Sequence, residues 1–99
     1  MLVSSKEMLC KAREEGYAVG SFNIFNLESA KAIIAAAEAE NAPVMLQIWS
    51  GFADFIGLDV LGAIAACEAK RARVPVAVHL DHGATLSQVG QSVAAGFTS

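Results

Sequence analysis

This chain of 99 residues is short of several things, and each shortage excludes something. Only 17% of its residues are charged, and the net charge is −3. A nucleic-acid or anionic-membrane surface needs clustered Lys and Arg, so neither partner is expected. Every apolar stretch is broken by Glu, Lys or Gly well before the roughly 20 residues that a membrane span requires. Lys6, Glu7, Lys11 and Arg13 interrupt the first residues in the same way, so no export signal is expected and the location expected is cytoplasmic. Cysteine is limited to Cys10 and Cys67, which lack metal-type spacing. Both are expected to be free thiols packed as small buried hydrophobes. There is no G-x-G-x-x-G and no P-loop, hence no nucleotide phosphate cradle. Lys6, Lys11, Lys31 and Lys70 all fall in helical segments, which leaves no lysine at a strand end for Schiff-base chemistry.

What the chain has is hydrophobic residues, 55% of the total, enough for a core in a single unit spanning residues 1–99. Ser4 and Glu7 have capping-box spacing and predict a first helix that Gly16 stops. Residues 18–24 read as a strand. Asn26 caps a second helix, in which Leu27, Ala30, Ile34 and Ala37 recur at steps of three and four, and Asn41 with Pro43 closes it. Glu38 and Glu40 belong to its solvated face. Residues 43–49 form a second apolar strand. A third helix begins after Asp59, with Val60, Leu61, Ile64 and Cys67 as its buried side, and Lys70, Arg71 and Arg73 suit its C-terminal dipole. Residues 75–81 read as a third strand. Thr85 and Gln88 again have capping spacing and predict a helix to about Ala95, stopped by Gly96.

Alternating strands and helices signal right-handed βαβ crossovers and a parallel sheet. The strands read as continuously apolar, as when both faces of a sheet are covered. After Ala94 the chain begins what reads as a fourth strand, and an open three-stranded sheet would leave the third strand with an unpaired edge. The expected fold is therefore α/β: about the first three βα units of a (β/α)8 TIM barrel, an architecture of about 250 residues.

The most informative segment is Val78-His-Leu-Asp-His-Gly83, at the C-terminal end of a parallel strand, where α/β folds collect ligands and catalytic side chains. Asp81 and His82 are adjacent and would point to opposite faces of a regular strand, but Gly83 is able to bend the chain so that both converge. A neutral imidazole is a good zinc ligand, and a neighbouring carboxylate is able to shuttle a proton. The same Asp-His-Gly is equally consistent with turn chemistry, Asp81 accepting backbone N–H groups. His79 reads as a hydrogen-bonded histidine inside the fold. Asn23 either binds a ligand or ties its loop to Asn26. Trp49, Phe52 and Phe55 form either a pocket wall or ordinary packing.

Lys11-Ala-Arg-Glu-Glu-Gly-Tyr-Ala-Val-Gly-Ser-Phe-Asn-Ile-Phe-Asn-Leu-Glu28, then Ala42-Pro-Val44, His79-Leu-Asp-His-Gly83 and Ala95-Gly-Phe-Thr-Ser99 together resemble the N-terminal portion of the class II, zinc-dependent ketose-bisphosphate aldolases. The resemblance covers all 99 residues in one register. It implies a lyase that reversibly cleaves fructose or tagatose 1,6-bisphosphate to dihydroxyacetone phosphate and glyceraldehyde 3-phosphate. Asp81 matches the family's catalytic acid/base, His82 the first of three histidine ligands to Zn2+, and Asn23 a position close to the substrate. A phosphorylated sugar as ligand and a homo-oligomeric full-length enzyme are implied as well. The family usually carries a small hydroxyl residue where Trp49 stands; either Ser50 replaces that hydroxyl from the next position or the pocket takes a different sugar. The other two zinc histidines and the phosphate loops belong to later strands of the family's barrel. Two rival readings are a catalytically inactive half-barrel fragment, needing self-association or a C-terminal partner, and a small α/β binding module whose Asp-His turn is structural.

Overall fold

Ser4 turns the extended chain into a helix by accepting the Lys6 backbone N–H on its hydroxyl at 3.3 Å. A computed structural model describing residues 1–99 gives this helix, α1, as Ser5–Glu15. Gly16 ends it at φ 76°, a left-handed conformation that costs glycine nothing sterically. There follow β1 (Gly20–Asn23), α2 (Leu27–Ala39), β2 (Val44–Trp49), a single 3-10 turn (Ser50–Phe52), α3 (Leu58–Arg71), β3 (Val76–Asp81) and α4 (Leu86–Ala94). Asn26 caps α2 reciprocally: its side chain accepts the Ser29 N–H at 2.8 Å, and Ser29 Oγ accepts the Asn26 N–H at 3.2 Å. Asn26 is thus engaged with Ser29 and not with Asn23. Thr85 caps α4 by accepting the Gln88 N–H at 3.1 Å, and Gln88 returns a bond to the Ala84 N–H at 2.9 Å.

The three strands are parallel and ordered β1-β2-β3, with Phe22 level with Leu46 and Leu46 level with Val78. The α/β class and the βα rhythm expected from the sequence are therefore what forms. One face of the sheet, here called outer, carries Val44, Leu46, Ile48, Val76 and Val78, all buried. It is covered by Ala30, Ile34 and Ala37 of α2 and by Leu58, Leu61, Ala65 and Ala69 of α3. Alanine at the helix contacts lets both helices lie close to the branched side chains of the strands. Burying a Leu46-sized side chain contributes roughly 1.5–3 kcal/mol. Gly62 is part of the same economy of space, because a Cβ there would lie 2.7 Å from the Phe97 ring.

The inner face departs from the expectation of continuously apolar strands. Its residues are Ser21 and Asn23 of β1, Met45, Gln47 and Trp49 of β2, and Ala77, His79 and Asp81 of β3. On this side the starts of the strands are apolar, where Met45 and Ala77 pack with Met8 of α1, flanked by Val3 and Val19, and at the strand ends only Trp49 is. The helix α1 thus closes the lower end of the inner face and leaves the C-terminal end polar.

The far edge of β3 is occupied. Val76 accepts the Val3 N–H at 2.9 Å and donates to Met1 O at 2.8 Å, while the Met1 amino group donates to the carbonyls of Ala72 and Val74. Burial holds that amine below its usual pKa, against the opposing effect of Glu38. Further along, Thr98 and Ser99 both donate to Val78 O, and Leu80 donates to Ser99 O at 3.0 Å. The unpaired edge expected for the third strand is thus covered by residues from both ends of the chain.

Several smaller expectations are corrected. Val60 and Cys67 face outward on α3, because the stripe that meets the sheet is Leu58, Leu61, Ala65 and Ala69. Cys10 is exposed as well, so neither thiol serves as a buried hydrophobe. Glu38 is not merely solvated: it accepts the Arg73 backbone N–H at 2.8 Å and pairs with the Arg73 guanidinium at 3.2 Å, pinning the end of α3 to α2. No helix is long and apolar enough to cross a membrane.

Candidate active site

At the end of β3, Asp81 stands level with Trp49 at the end of β2. The next residue, His82, adopts φ 54°, an uncommon conformation for a side chain with a Cβ. This residue turns the chain, where Gly83 was expected to do so. Gly83 serves close packing, since a Cβ there would meet Leu80 Cδ2 at 2.9 Å. The two side chains come near one another, His82 Nε2 lying 3.9 Å from Asp81 Oδ2, though only His82 lines the neighbouring cleft. The Asp81 side chain is 23% exposed and that of His82 is 77% exposed, so the carboxylate is sheltered while the imidazole stands free.

The left-handed turn is held from the neighbouring loop. Ser50 is buried and its hydroxyl donates to the His82 carbonyl, while the Ser50 carbonyl accepts from Gln88 Nε2 at 3.5 Å. Ser50 therefore ties the loop after β2 to the loop after β3. The one proton of its hydroxyl is committed to that tie.

Gln47 was not singled out from the sequence. It donates through Nε2 to Asp81 Oδ2 at 3.0 Å and accepts from Ser21 Oγ on Oε1 at 2.7 Å. The signal was present as the one polar residue in Val44-Met-Leu-Gln-Ile-Trp49, which a reading for apolar strands passes over. Asn23 is exposed at the end of β1, on the same inner face and level with Gln47. His79 lies on this face also, and its Nδ1 is 3.0 Å from Ser99 Oγ, in keeping with a hydrogen-bonded histidine. Trp49 and Phe52 pack edge to face with centroids 5.4 Å apart, whereas Phe55 is 90% exposed and takes no part. The aromatic wall is thus a pair, with Phe52 anchored on the core and Trp49 at the rim.

An open cleft of about 660 Å3 is lined by Trp49, Ser50, Gly51, Asp54, His82, Gly83, Ala84 and Gln88; Asp81, Gln47 and Asn23 are not in its lining, and Asp81 neighbours it through His82. A separate apolar groove of about 480 Å3 runs along β1 and α2 past Phe22, Ile33 and Val44, at the opposite end of the strands from Asp81. A sheltered carboxylate held by an amide is able to exchange a proton with a bound hydroxyl, and the exposed imidazole beside it is free to ligate a cation. His82 offers one donor, and no group of three or more His, Cys, Asp or Glu comes together in the chain. As a metal site these residues fit as one corner of a ligand set.

The family model for fructose-bisphosphate aldolase class-II matches residues 3–99. The fructose-bisphosphate aldolase of Thermus caldophilus is 46% identical over 99 residues, covering all of this chain and 32% of that protein. The fructose-bisphosphate aldolase of Helicobacter pylori (strain ATCC 700392 / 26695) is 42% identical over 100 residues, again covering all of this chain and 33% of its own length. The crystal structure of the YdjI aldolase from Escherichia coli K12 superposes with a TM-score of 0.91 at 28% identity, over 98% of this chain and 37% of that one. The chain spans about a third of the length of the curated relatives it matches.

Proposed function

The chain belongs to the class-II fructose-bisphosphate aldolase family, and on that premise we propose that it contributes the acid/base, one metal ligand and a substrate contact to a ketose-bisphosphate aldolase site. The reaction is reversible cleavage of a ketose 1,6-bisphosphate, fructose or tagatose, to dihydroxyacetone phosphate and glyceraldehyde 3-phosphate. Asp81 takes the proton of the C4 hydroxyl as the C3–C4 bond breaks. The electrons of that bond pass to C3, C4 becomes the aldehyde carbon, and C3 then takes up a proton from a second acid outside these 99 residues to give dihydroxyacetone phosphate. In the condensation direction Asp81 returns the proton. Asn23, exposed at the end of β1, contacts the substrate.

His82 would hold the metal as one of its ligands, and a bound zinc ion supplies Lewis-acid stabilisation of the negative charge that develops on the ketone half. The observation that carries the reading is the pair itself: Asp81 Oδ2 lies 3.9 Å from His82 Nε2 at the C-terminal end of a parallel strand, beside an open cleft. Trp49 lines the cleft and stands level with Asp81.

A cleavage assay on the intact natural protein carrying this sequence tests the proposal. Release of dihydroxyacetone phosphate from fructose or tagatose 1,6-bisphosphate, lost on chelation and restored by zinc, is the expected result. No release from either sugar would contradict it. The 99 residues taken alone supply one histidine ligand, His82, where three protein ligands are needed, so they are expected to show no activity.

A further inference from the structure

We infer that Gln47 is a positioning residue, and that Ser21, Gln47 and Asp81 form a relay fixing the Asp81 carboxylate relative to the other strands; the inference rests on the aldolase reading above. The three side chains run diagonally across the inner face, one from each strand. Ser21 Oγ lies 2.7 Å from Gln47 Oε1, and Gln47 Nε2 lies 3.0 Å from Asp81 Oδ2.

Hydrogen-bond polarity permits one arrangement of these groups. An ionised carboxylate only accepts, so Gln47 must turn its NH2 toward Asp81 and its carbonyl oxygen away. That oxygen then needs a donor, and the Ser21 hydroxyl supplies one. With the amide held at both ends, the carboxylate cannot rotate without breaking the bond to Nε2. Oδ2 is the oxygen that is held and that faces His82, which leaves Oδ1 as the oxygen for proton exchange with substrate. A small misplacement of a reacting group costs about 100-fold in rate, so an anchored carboxylate is worth more than a mobile one. The alternative role for Gln47 is mechanical, a polar tie between β1 and β3. That role predicts a loss of stability and no separate loss of turnover.

The test uses the intact protein with its metal bound. Gln47→Met keeps the length of the side chain and removes both hydrogen bonds. It is expected to lower kcat by about tenfold to 100-fold, with KM changed by less than about threefold and zinc content unchanged. Ser21→Ala should lower kcat by less, Ser21→Thr should restore it, and the Gln47→Met, Ser21→Ala double variant should be no worse than Gln47→Met alone, because Ser21 acts only through Gln47. Wild-type kcat in Gln47→Met would overturn the inference. If Gln47→Met does not fold, the Ser21 pair decides: equal kcat in Ser21→Ala and Ser21→Thr overturns it, and loss with rescue supports it. Asp81→Asn separates the two levels of the argument. If that variant cleaves substrate at the wild-type rate, the aldolase reading itself fails; if it is inactive while Gln47→Met is not impaired, only the relay fails.

Discussion

Leu46 and Gln47 are neighbours in β2 and do opposite work. Leu46 is fully buried on the outer face among α2 and α3, while Gln47 lies on the inner face and bonds Asp81 and Ser21. The same contrast separates Val78 from His79 and Leu80 from Asp81 along β3. The outer face is held by shape and burial, which tolerate hydrophobic exchange at similar volume. The inner face is held by directional bonds, where the identity of each donor and acceptor counts. A parallel sheet thus separates stability from chemistry residue by residue, through nothing more than the two-residue period of the strand. The lower end of the inner face is the exception, since Met8, Met45 and Ala77 make it a small apolar core under the site.

Substitutions that act on one face and spare the other sharpen this contrast. The largest effect is expected at His82. His82→Ala should abolish stoichiometric zinc by elemental analysis of the intact protein, together with cleavage, while the melting profile of the metal-free form stays that of metal-free wild type. One zinc per chain in the variant would remove His82 from the ligand set. Next is Leu46→Ala, expected to cost about 2–5 kcal/mol in urea unfolding, with the turnover of the remaining folded molecules unchanged. A specific loss of turnover there would break the division between faces. Ser50→Ala is the smallest and lies where the two meet. It removes the donor to the His82 carbonyl, costs about 1 kcal/mol, and should weaken zinc binding more than it weakens the fold. Equal loss of both would make the Ser50 tie purely structural.

Much of the scaffold is legible in the sequence. Ser4, Asn26 and Thr85 announce their helices because capping is a local bond between residues two or three apart. The Asp81–His82 pair was legible because of its place at a strand end. The outward turn of Val60 and Cys67 was not, since alanine-rich stripes are weak signals beside large apolar residues, and packing against the sheet chose the alanines. Nor was the positive φ of His82, which is held by a bond from Ser50 on a different loop. The relay through Gln47 and the cover over the β3 edge by Met1 to Val3 and Thr98 to Ser99 are likewise contacts between distant segments. In the strands, the two-residue period reports which face a residue takes and says little about its partner there.

The most direct test of the account is the turnover of Asp81→Asn in the intact, zinc-loaded protein, measured against wild type with fructose and tagatose 1,6-bisphosphate. The account predicts a fall of about 10²- to 10⁴-fold with zinc still bound and the fold intact by near-ultraviolet circular dichroism. Cleavage at the wild-type rate would show that the carboxylate at the end of β3 is not the group that moves the proton.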